Sequence, residues 1–309
     1  MAMPMKPLKK IWMNGKFIPY WEGKVHLLTH ALHYGSGLFE GIRCYPTKNG
    51  PAIFRLRDHL ARLYRGAKIY YFKIPYTLPQ LEKATMQLIK INKTNQAYIR
   101  PLVFVGYKSV GLSPKGGKIN VALIAVRFDR YFSPAAQKHG LRCCISTWSR
   151  QIQQALSPHV KATANYLNSI LAKTEAERGG YDEAIMLTHE GHVSEGSGEN
   201  LFIVRKGKLI TPPFYDDILG GITRESVIQI ARDMGYVVEE KTILRDELYT
   251  ADEVFLTGTA AEVLHVQSID KIKIGNGKIG PITRKLQSTF HRIVQGEEPR
   301  YAPWLTFVK

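Results

Sequence analysis

The sequence predicts a two-domain α/β (α+β) protein, and three observations carry that expectation. Strand-like and helix-like runs follow one another in mixed order through the first half. A polar stretch at Ser133–Gly140, holding both a proline and a glycine, separates that half from a fresh strand-like run at Leu141–Ser146. The length of 309 residues, with 44% hydrophobic residues, suits about two domains that each bury a core. The expected division is a smaller domain over 1–133, a linker over 134–140 and a larger domain over 141–309.

The elements follow in order. Lys10–Met13 and Lys16–Ile18 flank Asn14-Gly15, a hairpin signature. Leu60, Leu63, Tyr64 and Ala67 share one helical face, and Leu81, Ala84, Leu88 and Ile91 another. Tyr98–Val105 and Ile119–Val126, rich in branched residues, read as strands. The glycine-rich, basic segment Lys108–Lys118 joins them as a long loop, a type that often carries function. After the linker, Asn165–Arg178 predicts a helix stopped by Gly179-Gly180, with Leu167, Ile170 and Leu171 facing inward. Ala184–Leu187, a turn at Glu190-Gly191, a strand into Asn200–Val204 and a turn at Lys206-Gly207 form a meander. Thr223 opens a helix with Val227, Ile230, Ala231 and Met234 at helical spacing, ending at Gly235.

Composition bounds the function. No run reaches the ~18 apolar residues of a membrane span, and Met1–Lys10 lacks the apolar stretch of a signal peptide, so a cytoplasmic protein with no membrane partner is expected. Cys44, Cys143 and Cys144 fit neither a redox motif nor zinc-ligand spacing; buried, reduced thiols and no metal site are expected. The net charge of +17 suggests nucleic acid at first sight. The basic residues are spread along the chain without aromatic interleaving, and a solvated basic surface is expected instead.

Three local patterns point to chemistry. Ser194–Phe202 holds Glu195 and Glu199 among Gly196 and Gly198. No helix follows, which excludes a dinucleotide fingerprint and leaves a glycine-rich bulge able to aim Glu195 into a cavity. A surface turn with a solvated glutamate explains the same residues. Leu219–Arg224 places Gly220-Gly221 before a helix start, an anion site or a simple cap at Thr223. Lys161 sits among small and apolar residues, where burial lowers an amine pKa and raises nucleophilicity. Composition and spacing alone do not distinguish it from the other lysines.

Together with His30–Gly35, Phe39–Arg43, Ala97–Pro101, Asn165–Leu167, Ala251–Phe255 and Thr257–Ala260, these segments resemble the branched-chain-amino-acid aminotransferases, pyridoxal-phosphate enzymes of fold type IV. The motifs run in family order between positions 30 and 260. The resemblance implies a cofactor placed between the two domains. It makes Lys161 the residue that binds the cofactor aldehyde and shuttles the proton, and Glu195 the partner of the pyridine nitrogen. Tyr166 would meet the phenolic oxygen and Leu219 the ring face, while Arg62, Ile222, Thr223 and Thr259 would hold the phosphate. Arg62 standing alone reads as a solvated or ion-paired helix residue.

For the substrate, the resemblance implies an apolar pocket of Tyr34, Phe39, Gly41 and Tyr131. Thr259, Ala260 and Tyr98 would hold the α-carboxylate, and Arg100 the distal carboxylate of glutamate or 2-oxoglutarate. Tyr34 and the Lys108–Lys118 loop would come from a neighbouring subunit, which implies at least a homodimer. The implied reaction is ping-pong transamination of L-leucine, L-isoleucine or L-valine with 2-oxoglutarate. D-amino-acid aminotransferases and aminodeoxychorismate lyases share the lysine, the glutamate and the phosphate site; Tyr98–Arg100 and Phe39–Gly41 favour the L-branched-chain pattern. Three departures bear on substrate preference: Phe128 for the usual tryptophan, Thr163-Ala164 for a Gly-Gly, and Gly220 for a proline.

Overall fold

A computed structural model of the chain describes residues 6–107, 111–128 and 132–308. The described residues form two compact units. One falls within Pro4–Asp129, Val160–Ala164 and Ile293–Lys309, the other within Arg130–His159 and Asn165–Arg292. The crossover near 129/130 lies close to the expected boundary. The segment carrying Lys161 and the C-terminal tail, however, belong to the N-terminal unit and not to the 141–309 domain. The tail is tied in by backbone pairing, since Leu305–Phe307 runs antiparallel to Gly50–Phe54.

In the N-terminal unit a nine-stranded sheet orders its main path as Leu305–Phe307, Gly50–Phe54, Ile42–Thr47, Ala97–Val105, Ile119–Arg127, Lys10–Met13 and Lys16–Pro19. Gly37–Phe39 adds to Ala97–Val105 and Lys6–Pro7 to Ile119–Arg127, both antiparallel. The expected hairpin is present, with Asn14 at φ 49° and Gly15 at φ 92°, the left-handed pair that a tight two-residue turn requires. Helices α1 (His30–Tyr34), α2 (Leu56–Ile69) and α3 (Leu78–Ile91) belong to this unit. Leu60, Leu63 and Ala67 of α2 and Leu81, Ala84 and Leu88 of α3 are buried as expected. Ile91 is exposed, and Ile89, one turn after the buried Thr85, completes the inward stripe of Leu81, Ala84, Thr85 and Leu88.

In the C-terminal unit the sheet mixes parallel and antiparallel pairs. Its order is Val193–Gly196, Glu183–Leu187, Leu141–Ile145, Glu262–Ile269, Glu253–Gly258, Asn200–Arg205, Lys208–Thr211 and Val238–Glu240. The expected linker is structured: Ser133 accepts a hydrogen bond from the Ala136 N–H and caps α4 (Pro134–His139), with Pro134 at the first turn. The composition that marked a boundary is also that of a helix start.

The next helix, α5 (Tyr166–Arg178), corrects an expectation. Leu167 and Ile170 are 64% and 57% exposed and Leu171 is at the edge of exposure, while Ser169, Ala172 and Ala176 face the sheet. Small residues are what a close helix–sheet approach permits, so the larger apolar side chains are left outward. Helices α6 (Ile222–Asp233), α7 (Arg245–Tyr249) and α8 (Pro281–Val294) follow. Among the described residues no helix is long and apolar enough to cross a membrane, and no group of three or more metal-ligating side chains occurs. Cys44, Cys143 and Cys144 are free and buried, with burial pushing Cys44 up to about 12 and Cys144 up to about 11.

Candidate active site

In the N-terminal unit the loop of Lys161 is fastened along the strand Gly37–Phe39. The Phe39 N–H donates to the Lys161 carbonyl (3.0 Å) and the Thr163 N–H to the Gly37 carbonyl (2.9 Å). Thr163 Oγ1 adds a bond to the Gly35 carbonyl at 2.7 Å. The Thr163 departure therefore supplies an anchor beside the lysine that glycine would lack. Lys161 itself is half-buried, its Nζ 5.1 Å from the Phe39 ring centroid.

The same ring carries the Arg100 guanidinium, with Cζ 4.5 Å from its centroid. Arg100 Nη2 donates to Tyr98 Oη at 3.2 Å, whereas its Nε is buried without a hydrogen-bond partner among the described residues. A buried donor in that state is costly unless a ligand satisfies it. Gly41 lies against Tyr98, and any Cβ there would overlap the tyrosine hydroxyl. Phe128 is buried with its ring 5.2 Å from that of Tyr98, so it backs Tyr98 rather than standing alone. Tyr34 Oη accepts from the Gly111 N–H at 3.2 Å. Tyr131 and residues 108–110 of the loop lie outside the described residues.

Arg62 is buried on α2 and forked onto Glu40, with Nε to Oε1 at 2.7 Å and Nη2 to Oε2 at 2.8 Å. His59 Nδ1 lies 2.8 Å from Oε2. Burial opposes ionisation of Glu40, but the Arg62 charge and the bonds from Arg62 and His59 outweigh it and hold the carboxyl well below its usual range. Burial also lowers the His59 pKa despite Glu40, so the ring is neutral at pH 7 and donates through Nδ1–H. Glu40 has no role of its own in the sequence motif, and His59 stands outside it; both act through pairing that spacing along the chain does not reveal.

In the C-terminal unit Glu195 is buried on the strand Val193–Gly196. Arg150 Nη2 pairs with its Oε1 at 2.7 Å. Asn200 Nδ2 (2.8 Å) and the Leu219 N–H (3.1 Å) donate to Oε2. The surface-turn reading of this segment is thereby excluded: the carboxylate is held by donors from three separate segments. Asn200 also bonds the Leu219 carbonyl at 2.8 Å, and a Cβ on Gly221 would overlap the Asn200 amide. The glycine before α6 is thus required by close approach. Gly221 provides no capping side chain, which leaves the first-turn N–H groups at Ile222 and Thr223 without one. Thr259 and Ala260 lie in the turn after strand Glu253–Gly258, and Tyr166 opens α5. Arg150 and Asn200 are not among the residues that the sequence singles out; Arg150 stands 45 residues before its partner, in no recognisable motif.

The model of the family described as amino-transferase class IV matches residues 37–269. The branched-chain-amino-acid aminotransferase of Escherichia coli K12 is 42% identical over 98% of each chain. The chain belongs to the class IV amino-transferase family. The solved structure of an E. coli branched-chain amino acid aminotransferase superposes on this family member at a TM-score of 0.96, covering 98% of this chain and 100% of the other at 42% identity. The branched-chain amino acid aminotransferase of Thermobaculum terrenum, solved in its PLP form, superposes at 0.92, with 37% identity and coverage of 98% and 99%. The fold-type IV expectation stands.

Proposed function

We propose that this aminotransferase uses pyridoxal 5'-phosphate to exchange the amino group between L-leucine, L-isoleucine or L-valine and 2-oxoglutarate. The observation that carries the reading is the Phe39 ring, flanked by an amine at Lys161 and by an arginine whose Nε lacks a partner among the described residues. An aliphatic side chain gains from the ring, and a distal carboxylate satisfies the guanidinium, so two chemically different substrates have binding groups there.

The residues fit the cofactor by the chemistry of their donors. When bound, pyridoxal phosphate supplies an aldehyde that accepts the substrate amine and a ring that withdraws electrons from the α-carbon. Lys161 Nζ is the group assigned to the aldehyde and to moving the proton at the α-carbon. Glu195 is assigned to the ring nitrogen, Tyr166 to the phenolic oxygen and Leu219 to the ring face. Arg62, the N–H groups of Ile222 and Thr223, and the Thr259 hydroxyl are assigned to the phosphate. Thr259 and Ala260 N–H groups with Tyr98 would hold the α-carboxylate, and Tyr34, Gly41 and Tyr131 would shape the pocket around Phe39.

The outward apolar face of α5 supports assembly into at least a homodimer, since Leu167 and Ile170 would otherwise remain in water. The buried free thiols suit a reducing cytoplasm, and the +17 charge is assigned to solvated surface without a nucleic-acid partner. The test is transfer of 15N from each labelled L-amino acid to 2-oxoglutarate, followed as labelled glutamate by mass spectrometry. Label from all three L-substrates and none from D-valine is expected; transfer from D-valine alone would overturn the substrate assignment.

A further inference from the structure

Glu195, on the strand Val193–Gly196, and Glu199, in the turn that follows it, stand four residues apart, yet their surroundings differ. Glu195 faces Arg150 at 2.7 Å. Glu199 is equally buried, receives one long backbone bond from Gly198 at 3.2 Å, and has the Glu183 carboxylate as a charged neighbour. Burial and the Glu183 charge push the Glu199 carboxyl well above its usual range. Glu183 has its own cation, Lys173, at 2.8 Å. Among the described residues Glu195 and Glu183 each meet a cation at salt-bridge distance, and Glu199 meets none.

We propose that Arg150 is a positioning residue for the cofactor ring: its guanidinium pairs with Glu195 and fixes that carboxylate for the ring nitrogen. This rests on the assignment of Glu195 to that nitrogen. Arg150 is suited to the task because it is itself held on both sides. Its backbone N–H donates to the Leu187 carbonyl at 2.8 Å, and Nη1 donates to Ser169 Oγ at 3.2 Å. Ser169 lies on α5, one turn after Tyr166, the residue assigned to the phenolic oxygen. One guanidinium therefore ties together the elements that carry two ring contacts. Its planar fork makes separate directed bonds to Ser169 and Glu195, which a lysine ammonium would hold less rigidly.

The experiment measures binding of pyridoxamine phosphate, and of its analogue with C–H in place of the ring nitrogen, to the cofactor-free protein by calorimetry. Neither ligand has an aldehyde, so no covalent bond to Lys161 enters. The wild type should prefer the nitrogen form by roughly tenfold or more, the worth of a hydrogen bond to a charged group. Arg150→Gln should bring that ratio close to one while leaving the affinity for the carbon analogue within about threefold of wild type, and Arg150→Lys should recover part of the preference. Equal weakening of both ligands would show a merely structural arginine and overturn the inference. So would an unchanged ratio in Arg150→Lys, the variant to rely on if Arg150→Gln does not fold. Loss of preference in Glu195→Gln but not in the Arg150 variants would overturn this inference alone. Full preference in Glu195→Gln would instead overturn the assignment of Glu195 to the ring nitrogen.

Discussion

Replacing Glu40 by glutamine perturbs the most completely buried charge of the N-terminal unit. The wild-type carboxylate accepts bonds from Arg62 Nε and Nη2, from His59 Nδ1 and, at 3.3 Å, from the Gly41 N–H. Glutamine keeps one acceptor oxygen and turns the other position into a donor that faces donors. Arg62 is left buried without its counter-charge, and breaking such a pair costs about 3–5 kcal/mol. At about 2–4 °C per kcal/mol for a chain of this size, the melting temperature should fall by roughly 6–20 °C. The assay is urea unfolding of wild type and Glu40→Gln across pH. The Glu40 pKa is lower in the folded state than the ordinary value of 4.5, so its contribution is fully present above that pH and fades as pH falls. The gap between the two proteins should therefore be constant near neutrality and close in acid. A gap below about 1 kcal/mol, or one unchanged down to pH 3, would refute the reasoning.

Three further outcomes are expected. Gly41→Ala should push the Tyr98 hydroxyl aside, costing about 1–3 kcal/mol in stability and raising KM for the amino acid more than it lowers kcat; unchanged kinetics would contradict the tight packing. Thr163→Val removes the bond to the Gly35 carbonyl and should destabilise the protein by about 1 kcal/mol in thermal unfolding. Asp substitutions at Leu167 and Ile170 should shift sedimentation velocity toward the monomer, because they charge the outward face of α5. An unchanged sedimentation coefficient would remove that face from the interface.

Local signals were legible in the sequence and distant pairings were not. Asn14-Gly15 and the glycine of Lys206-Gly207 mark tight turns because glycine and asparagine suit a left-handed backbone, and both pairs are found with positive φ. The strands Ala97–Val105 and Ile119–Arg127 declared themselves through branched residues buried on the sheet. Ser133-Pro134 is ambiguous because capping and linker chemistry use the same residues, so a helix stands where a linker was expected. On α5 the rule that leucine and isoleucine face inward fails because alanine and serine make the close contact. Lys161 and Glu195 emerged through family motifs. The side chains that hold the site residues did not, since Arg150 reaches Glu195 across 45 positions and Glu40 meets Arg62 across 22. Nothing in residue spacing reports such a pair.

The most direct measurement is the visible absorbance of the cofactor-loaded protein before and after L-valine is added without any oxo acid. The protein should be yellow, and the band should bleach with L-valine and return with 2-oxoglutarate, while Lys161→Ala neither bleaches nor recovers on the same timescale. A wild-type band that ignores L-valine but responds to D-valine would contradict the proposed specificity, and a protein that stays colourless with pyridoxal phosphate would contradict the enzyme assignment itself.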